Sequence, residues 1–233
     1  MIHQYIRRLS YFNSYLRLFS CLSEEKVLEG VMESIFTDHF ENQFKSLSDV
    51  LVQEKIWTCD DVFKDSPLKS IVSLLNDKKS SLRPAQIGRG DEKSLKLEIR
   101  SDSMLWLSNE DSGFKDLWSL LDRLLEKFRG ELFMPVKRYE AQVALYKKGD
   151  FYKRHVDRHK NSQERLITMV LYFNDWKDGD GGEFVLYKPE TQEIKIEPKL
   201  NRMVLFFSEL EHEVLPANKE RKSLAIWFRS DIL

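Results

Sequence analysis

Two histidines and an aspartate stand where their side chains could bind one metal ion. His155 and Asp157 are two residues apart in FYKRHVDRHK, shortly after an alternating segment that ends at Tyr146. Residues two apart in an extended chain point to the same side, so this pair can hold one cation. His212 lies in ELEHEVLP, where we expect a loop at the end of a buried strand. The three side chains together form a candidate metal site.

Two imidazoles and one carboxylate are the ligands of the facial triad in non-haem Fe(II) oxygenases, which leaves three coordination positions open. Arg221 follows His212 by nine residues and precedes the strand-like segment SLAIWF. A guanidinium one strand away from the metal could bind a carboxylate through two hydrogen bonds. Zinc is the alternative metal, since histidine and aspartate bind zinc as well.

The composition excludes several classes of function. Lys and Arg (37) nearly balance Asp and Glu (38) in the 233 residues, and 42% of the chain is hydrophobic. The near-zero net charge and the lack of a basic, aromatic stripe argue against a nucleic-acid partner. Two distant cysteines, Cys21 and Cys59, favour a reducing compartment. No apolar run reaches 18 residues, so we expect a cytoplasmic protein without a membrane span.

The hydrophobic periodicity changes from helical to strand-like after Gly130. About the first 75 residues are predicted to be helical, with breaks around 20–23 and 56–59, and residues 112–129 carry one apolar stripe. Short strand-like segments follow: RYEAQVALY, LITMVLYF, EFVLY, QEIKIEP, RMVLFF and SLAIWFR. This order predicts an α+β, mainly β fold, in which a barrel or sandwich is buttressed by N-terminal helices.

Four segments carry a resemblance to a known family: YKRHVD, LYFNDWKDGDGGEF, IEPKLNRMVLFF and HEVLPANKERKSLAIWF. They resemble the prolyl 4-hydroxylase branch of the 2-oxoglutarate- and iron-dependent dioxygenases, especially the hypoxia-inducible-factor prolyl hydroxylases and their bacterial relatives. The resemblance is strong over about 139–228 and extends weakly upstream to about residue 50. It implies a double-stranded β-helix of the jelly-roll, cupin-like kind. The barrel core would span about 139–229 of a catalytic domain of residues 46–233, after a helical extension of residues 1–45.

The resemblance also implies the cofactors and the reaction. Fe(II) would be held by His155, Asp157 and His212. With O2 and the cosubstrate 2-oxoglutarate, the enzyme would hydroxylate its substrate while 2-oxoglutarate is decarboxylated to succinate and CO2, with ascorbate as a further reductant. Arg221 would pair with the distal carboxylate of 2-oxoglutarate, and Tyr172 would donate a hydrogen bond to the same carboxylate.

Further residues match positions around the site. Tyr146 and Trp227 match residues that line the iron pocket, although both could equally be packing residues of a barrel. Arg165, just before a buried strand, would face the same entrance.

A second group of residues concerns the substrate. Arg100 and Asp102, with Trp106 behind them, match the loop that clamps the target peptide in the hypoxia-factor enzymes. Ser101 stands where that motif has Gly, which puts the turn and the peptide selectivity in question. A salt-bridged pair in a surface loop is the alternative interpretation of Arg100 and Asp102.

The implied substrate is a prolyl residue in an exposed loop of a protein. A translation elongation factor is one candidate, because bacterial relatives act on one. Two other functions stay open. The chain could oxidise a small molecule or a free amino acid, with residues 78–102 as a lid. It could instead be a non-catalytic iron- or oxygen-sensing module whose N-terminal helices bind a partner. We expect the protein to be a monomer, or a homodimer that forms through those helices.

Overall fold

A computed structural model describes residues 34–86, 94–108, 110–158, 164–188 and 193–231. Most of these residues belong to one compact unit, Ile35–Leu233. The α-helices of this part of the chain are α1 (Asp38–Lys45), α2 (Leu47–Glu54), α3 (Asp65–Asp77) and α4 (Lys115–Gly130). Within the described ranges, no helix is both long and apolar enough to cross a membrane.

The strands form two antiparallel sheets. The strands are β1 (Ile56–Cys59), β2 (Arg83–Pro84), β3 (Ser103–Leu107), β4 (Arg138–Tyr146), β5 (Tyr152–His155), β6 (Arg165–Tyr172), β7 (Phe184–Tyr187), β8 (Ile194–Ile196), β9 (Met203–Phe207), β10 (Glu211–Val214) and β11 (Arg221–Arg229). The major sheet has seven strands in the order β1-β9-β6-β11-β4-β3-β2, and the minor sheet has four in the order β5-β10-β7-β8. The predicted α+β, mainly β class is confirmed.

The major sheet has a hydrophobic core on each face, because successive residues of a strand point to opposite sides. On the helix side, Phe128 of α4 packs edge to face against Phe228 of β11, with ring centroids 4.9 Å apart. On the opposite side, Phe184 of β7 packs against Phe206 of β9 at 5.2 Å. We call the space between the two sheets the barrel interior. The wall formed by the major sheet is packed from behind by the helix-side core, which fixes the positions of its inward side chains.

Helix α1 contributes to the helix-side core. Thr37 caps its first turn, since the Thr37 Oγ1 accepts a hydrogen bond from the Phe40 backbone N–H at 3.0 Å. Phe40 is fully buried and Phe44 nearly so. The end of the predicted extension therefore packs with the catalytic domain. Residues 1–33 lie outside the described residues, as does the predicted break at 20–23, so the division at residue 45 stays a prediction.

The predicted break at 56–59 is strand β1, at one edge of the major sheet. It pairs with β9, with Trp57 opposite Leu205. Trp57 and Cys59 are buried while Thr58 between them is exposed. The segment is too short for its alternation to stand out, and its partner lies almost 150 residues further along the chain. The sequence therefore predicted that the helical pattern ends before residue 56, but it did not predict strand β1.

We expect Phe40→Ala to lower the free energy of unfolding by about 3–5 kcal/mol, because the substitution leaves a cavity in a closed core. Urea denaturation would measure the loss. Val52→Ala is the matched control, since Val52 lies on the neighbouring helix α2 and is 46% exposed. That variant should change stability by about 0.5 kcal/mol or less. Equal losses in the two variants would show that α1 is not part of the folded core.

Candidate active site

The two candidate histidine ligands face each other across neighbouring strands. Strand β10 lies between β5 and β7, and His212 stands opposite His155 in the β5–β10 pairing. Along β10, Glu211 is exposed and His212 is buried, so His212 points into the barrel interior. The prediction of a strand-end loop at His212 is wrong. Its backbone is paired with β5 on one side and with β7 on the other.

Asp157 completes a three-residue cluster. One ligand atom each from His155, Asp157 and His212 lies within 4.8 Å of the others, and this is the metal-binding group found among the described residues. His155 Nε2 is 3.8 Å from Asp157 Oδ1, and His212 Nε2 is 3.4 Å from Asp157 Oδ2. Asp157 and His212 are buried, and His155 is half-buried. The structure therefore brings together the three predicted ligands.

Backbone carbonyl groups set the tautomer of both imidazoles. His155 Nδ1 lies 2.7 Å from the Lys153 carbonyl oxygen, and His212 Nδ1 lies 2.9 Å from that of Leu210. A carbonyl oxygen only accepts hydrogen bonds, so each Nδ1 carries a hydrogen, and the Nε2 of a neutral imidazole in this arrangement has its lone pair free. Both Nε2 atoms are the ones nearest Asp157, so their lone pairs are available to a cation between the three side chains.

The protonation states also suit a cation. Burial and the neighbouring His212 lower the pKa of His155 to about 3, so its imidazole is neutral at neutral pH. Burial by itself would raise the pKa of Asp157. The adjacent His212, His155 and Arg165 outweigh burial and hold that pKa well below its ordinary value, so Asp157 is ionised. The donor set of neutral imidazole and carboxylate fits Fe(II), and it would fit zinc as well.

A stacked tyrosine supports His155. The rings of Tyr152 and His155 are nearly parallel, with centroids 3.6 Å apart. Residues three apart in a regular strand point to opposite faces. Here β5 is irregular: His155 pairs with His212, whereas Tyr152 pairs with Val214. The three-residue interval from Tyr152 to His155 on β5 thus lies opposite the two-residue interval from Val214 to His212 on β10. The extra residue on β5 is a β-bulge, and it puts both rings on one face. Sequence reasoning missed Tyr152, because a bulge has no signal in local alternation.

Arg100 and Asp102 form a buried ion pair behind this stack. Arg100 Nε and Nη2 donate to the two Asp102 carboxylate oxygens at 2.8 and 2.6 Å. Arg100 Cζ lies 4.3 Å from the centroid of the Tyr152 ring. The Ser101 side chain between them forms a hydrogen bond, in which Ser101 Oγ accepts from the Phe151 backbone N–H at 3.2 Å. The pair is 8% and 1% exposed, so it supports the site from inside, and direct contact of these two residues with a substrate stays a prediction.

Arg221 and Tyr172 present unpaired donors to the barrel interior. Arg221 is 3% exposed, and its Nη1 donates to Ser223 Oγ at 2.9 Å. Its Cζ lies 4.7 Å from the ring centroid of Tyr146 and 5.0 Å from that of Tyr172. Among the described residues, Arg221 Nε and the Tyr172 hydroxyl are buried without a partner. Burial raises the pKa of Tyr172 to about 12, so its hydroxyl keeps its proton and can donate. A buried carboxylate would satisfy both donors.

A glycine makes room for the Arg221 side chain. Gly182 has φ +71°, and a Cβ atom at this position would lie 2.9 Å from Arg221 Cδ. Any other residue would strain the backbone and push the arginine stem out of place. The GDGG turn of the sequence thus forms one wall of the arginine site.

Arg165 and Trp227 lie near the candidate ligand Asp157. Arg165 Cζ is 3.9 Å from the Trp227 ring, and Arg165 Nη1 is 4.0 Å from Asp157 Oδ1. Glu140 holds the guanidinium, through contacts to its Nε at 2.8 Å and its Nη2 at 2.6 Å. Trp106 is 43% exposed, with its ring centroid 5.6 Å from that of Trp227. These residues form a mouth of aromatic rings and one oriented cation. Glu140 was missed, because its role depends on cross-strand register.

Comparisons with known proteins agree with this site. Residues 141–229 match the family model of the 2OG-Fe(II) oxygenase superfamily. The structure is similar to a prolyl-4-hydroxylase of Pseudomonas putida, with a TM-score of 0.72 and 28% identity over 80% of this chain and 98% of that chain. It is also similar to a Trichoplax adhaerens prolyl hydroxylase in complex with a hypoxia-inducible-factor peptide fragment. In that case the TM-score is 0.74, with 24% identity over 82% of this chain and 90% of that chain.

A third similar structure is a prolyl 4-hydroxylase of Phytophthora capsici. Its TM-score is 0.67, with 24% identity over 86% of this chain and 68% of that chain. The family-model match and the similarity to the Pseudomonas putida enzyme confirm the resemblance found in the four sequence segments. They also confirm the predicted double-stranded β-helix, in which the major and minor sheets are the two walls.

We expect the variants His155→Ala, Asp157→Ala and His212→Ala to lose most of their affinity for Co(II), used as a spectroscopic substitute for Fe(II). Each variant removes one of three ligands, and the visible spectrum of bound Co(II) reports the loss. His39→Ala is the matched control, because His39 is an exposed histidine on α1. Tight Co(II) binding by Asp157→Ala would show that the cation is held elsewhere.

Proposed function

We infer that this chain, a 2-oxoglutarate-dependent oxygenase of the prolyl 4-hydroxylase type, hydroxylates a prolyl residue in a protein. The observation that carries the proposal is that the barrel interior contains both a candidate metal site and a candidate carboxylate site. His155, Asp157 and His212 offer three ligands to a cation, and Arg221 with Tyr172 offers unpaired donors to a carboxylate. A cosubstrate with a keto acid at one end and a carboxylate at the other fits this arrangement.

The residues have distinct roles in this function. Bound Fe(II) supplies the activation of O2 for C–H hydroxylation, coupled to the decarboxylation of 2-oxoglutarate to succinate and CO2. His155, Asp157 and His212 would hold the metal through two imidazole nitrogens and one carboxylate. Arg221 and Tyr172 bind the distal carboxylate and fix the orientation of the cosubstrate. Tyr146 and Tyr172 are buried and exclude water from that end of the interior.

The mouth beside Asp157 supports a prolyl substrate. Trp106 is 43% exposed and offers an aromatic face, and Arg165 Cζ lies 3.9 Å from the ring of the buried Trp227 beside it. A pyrrolidine ring packs well on an aromatic face, and the guanidinium can donate to a peptide carbonyl group. The Trichoplax prolyl hydroxylase was solved with a peptide fragment, which also supports a protein substrate. A translation elongation factor is the first target to test.

Other aspects of the function stay predictions. They include the cytoplasmic location, a role in oxygen sensing, ascorbate as a reductant and the choice between monomer and homodimer. The enzyme class disfavours a purely non-catalytic module. Oxidation of a small molecule or free amino acid is the remaining alternative. Residues 87–93 of the lid which that alternative would need lie outside the described residues.

The cosubstrate site can be tested without a substrate. Under anaerobic conditions, Fe(II) and 2-oxoglutarate should give the purified protein a visible metal-to-ligand charge-transfer band. Arg221→Ala should weaken the band at least about tenfold at limiting 2-oxoglutarate, since it removes a charge-assisted contact of roughly 1.5–3 kcal/mol. Arg129→Ala, which changes an arginine at the end of α4, is the matched control and should keep the band. An unchanged band in Arg221→Ala would place the cosubstrate differently.

The substrate class can be tested by mass spectrometry. Incubation with a purified translation elongation factor, and then with a proteome digest, should add one oxygen atom to a prolyl residue, and Asp157→Ala should add none. Hydroxylation of free proline with no change in any protein would favour the small-molecule alternative. Decarboxylation of 2-oxoglutarate without any oxidised target would leave the prolyl assignment unsupported while keeping the oxygenase.

A further inference from the structure

Two buried hydroxyl groups stand behind the candidate ligand Asp157. Thr168 Oγ1 donates to Asp157 Oδ2 at 2.9 Å, and Thr168 Oγ1 lies 2.8 Å from Ser208 Oγ. Thr168 lies on β6, Ser208 directly follows β9, and Asp157 follows β5. The exposed fractions of these residues are only 2%, 0% and 6%. A chain of three polar side chains thus crosses from the major sheet to the metal ligands without contact with water.

The direction of the hydrogen bonds follows from the number of protons. An ionised carboxylate only accepts, so the single hydroxyl proton of Thr168 is directed at Asp157. The Thr168 oxygen can then accept, so Ser208 donates to it. The order Ser208 to Thr168 to Asp157 satisfies all three groups.

Ser208 also holds the backbone that carries Asp157. Its carbonyl oxygen accepts from the backbone N–H groups of Asp157 at 3.1 Å and Arg158 at 2.9 Å. Its own N–H donates to the Leu166 carbonyl oxygen at 3.1 Å, which ties it to β6. Asp157 is therefore fixed at its backbone through Ser208 and at its carboxylate through Thr168.

We propose that Thr168 and Ser208 are positioning residues for the metal, in that the two hydroxyls fix the plane of the Asp157 carboxylate so that it meets the cation in one orientation. The proposal rests on the proposed function, because it needs Asp157 to be a ligand. Carboxylate ligands are commonly held by such outer hydrogen bonds, and their loss reduces metal affinity about 10- to 100-fold. Thr168 acts on the carboxylate directly, and the Ser208 side chain acts only through Thr168.

A purely structural role predicts something different. If the two hydroxyls only satisfied each other inside a packed core, an isosteric Thr168→Val change would alter stability and leave metal binding intact. Metal affinity and the spectrum of the bound ion therefore separate the two interpretations. Neither readout requires turnover.

The experiment measures Co(II) affinity and the visible Co(II) spectrum in four variants of the full chain. Thr168→Val should weaken binding about tenfold or more and alter the spectrum, and Thr168→Ser should restore both. Ser208→Ala should have a smaller effect in the same direction. The double variant should bind no more weakly than Thr168→Val, because a group that acts through another adds nothing once that group is gone. Ser48→Ala is the matched control, since Ser48 is a buried serine that binds Glu131 instead.

Two results would overturn the proposal. Unchanged Co(II) affinity and spectrum in folded Thr168→Val would do so, and so would strictly additive losses in the double variant. If Thr168→Val does not fold, the comparison of Ser208→Ala with wild type decides, and equal affinity and spectra would again overturn it. Wild-type protein that binds no Co(II) would instead overturn the metal site itself, together with the proposed function.

Discussion

The pairing of His155 with His212 across β5 and β10 is the constraint on which the site depends. Directly opposed residues of an antiparallel pair have their Cβ atoms about 4.5–5.5 Å apart, so two imidazoles can share one ion without a further device. A shift of one residue in this pairing would turn His212 to the outer face. The Ser208 carbonyl then holds Asp157 beside the two rings. The metal site is thus a product of backbone register more than of any individual side chain.

The major sheet converts this register into a rigid site. Its helix-side face is closed by aromatic packing such as Phe128 on Phe228, and its inner face carries the polar residues. Buried polar groups are unfavourable unless they find partners. Thr168 finds one in Asp157, and Arg221 finds one in Ser223. Arg221 Nε and the Tyr172 hydroxyl remain unpaired within the described part of the chain, and a ligand carboxylate is the partner that the proposed function would give them. The polar residues of the inner face thus lie beside the second hydrophobic core, which holds them in place.

Local periodicity was sufficient to predict much of this molecule. The strands β4, β6 and β11, the helix α4 and the three candidate ligands follow from alternation and residue type within short windows. Features set by distant pairing could not be predicted in this way. Strand β1 depends on β9, the strand position of His212 depends on β5 and β7, and the stack of Tyr152 on His155 depends on a bulge. The roles of Thr168 and Ser208 likewise arise only when β6 and β9 lie side by side.

The charges of the barrel interior make the binding of a divalent cation and the binding of 2-oxoglutarate depend on each other. The Asp157 carboxylate and the Arg221 guanidinium carry opposite charges, and Glu140 compensates Arg165. A divalent cation alone would add two positive charges to this buried space, and the 2-oxoglutarate dianion alone would add two negative ones. Both together add no net charge, and uncompensated buried charge is strongly unfavourable. We therefore expect cation and cosubstrate to bind cooperatively, and linkage requires each to raise the affinity of the other by the same factor.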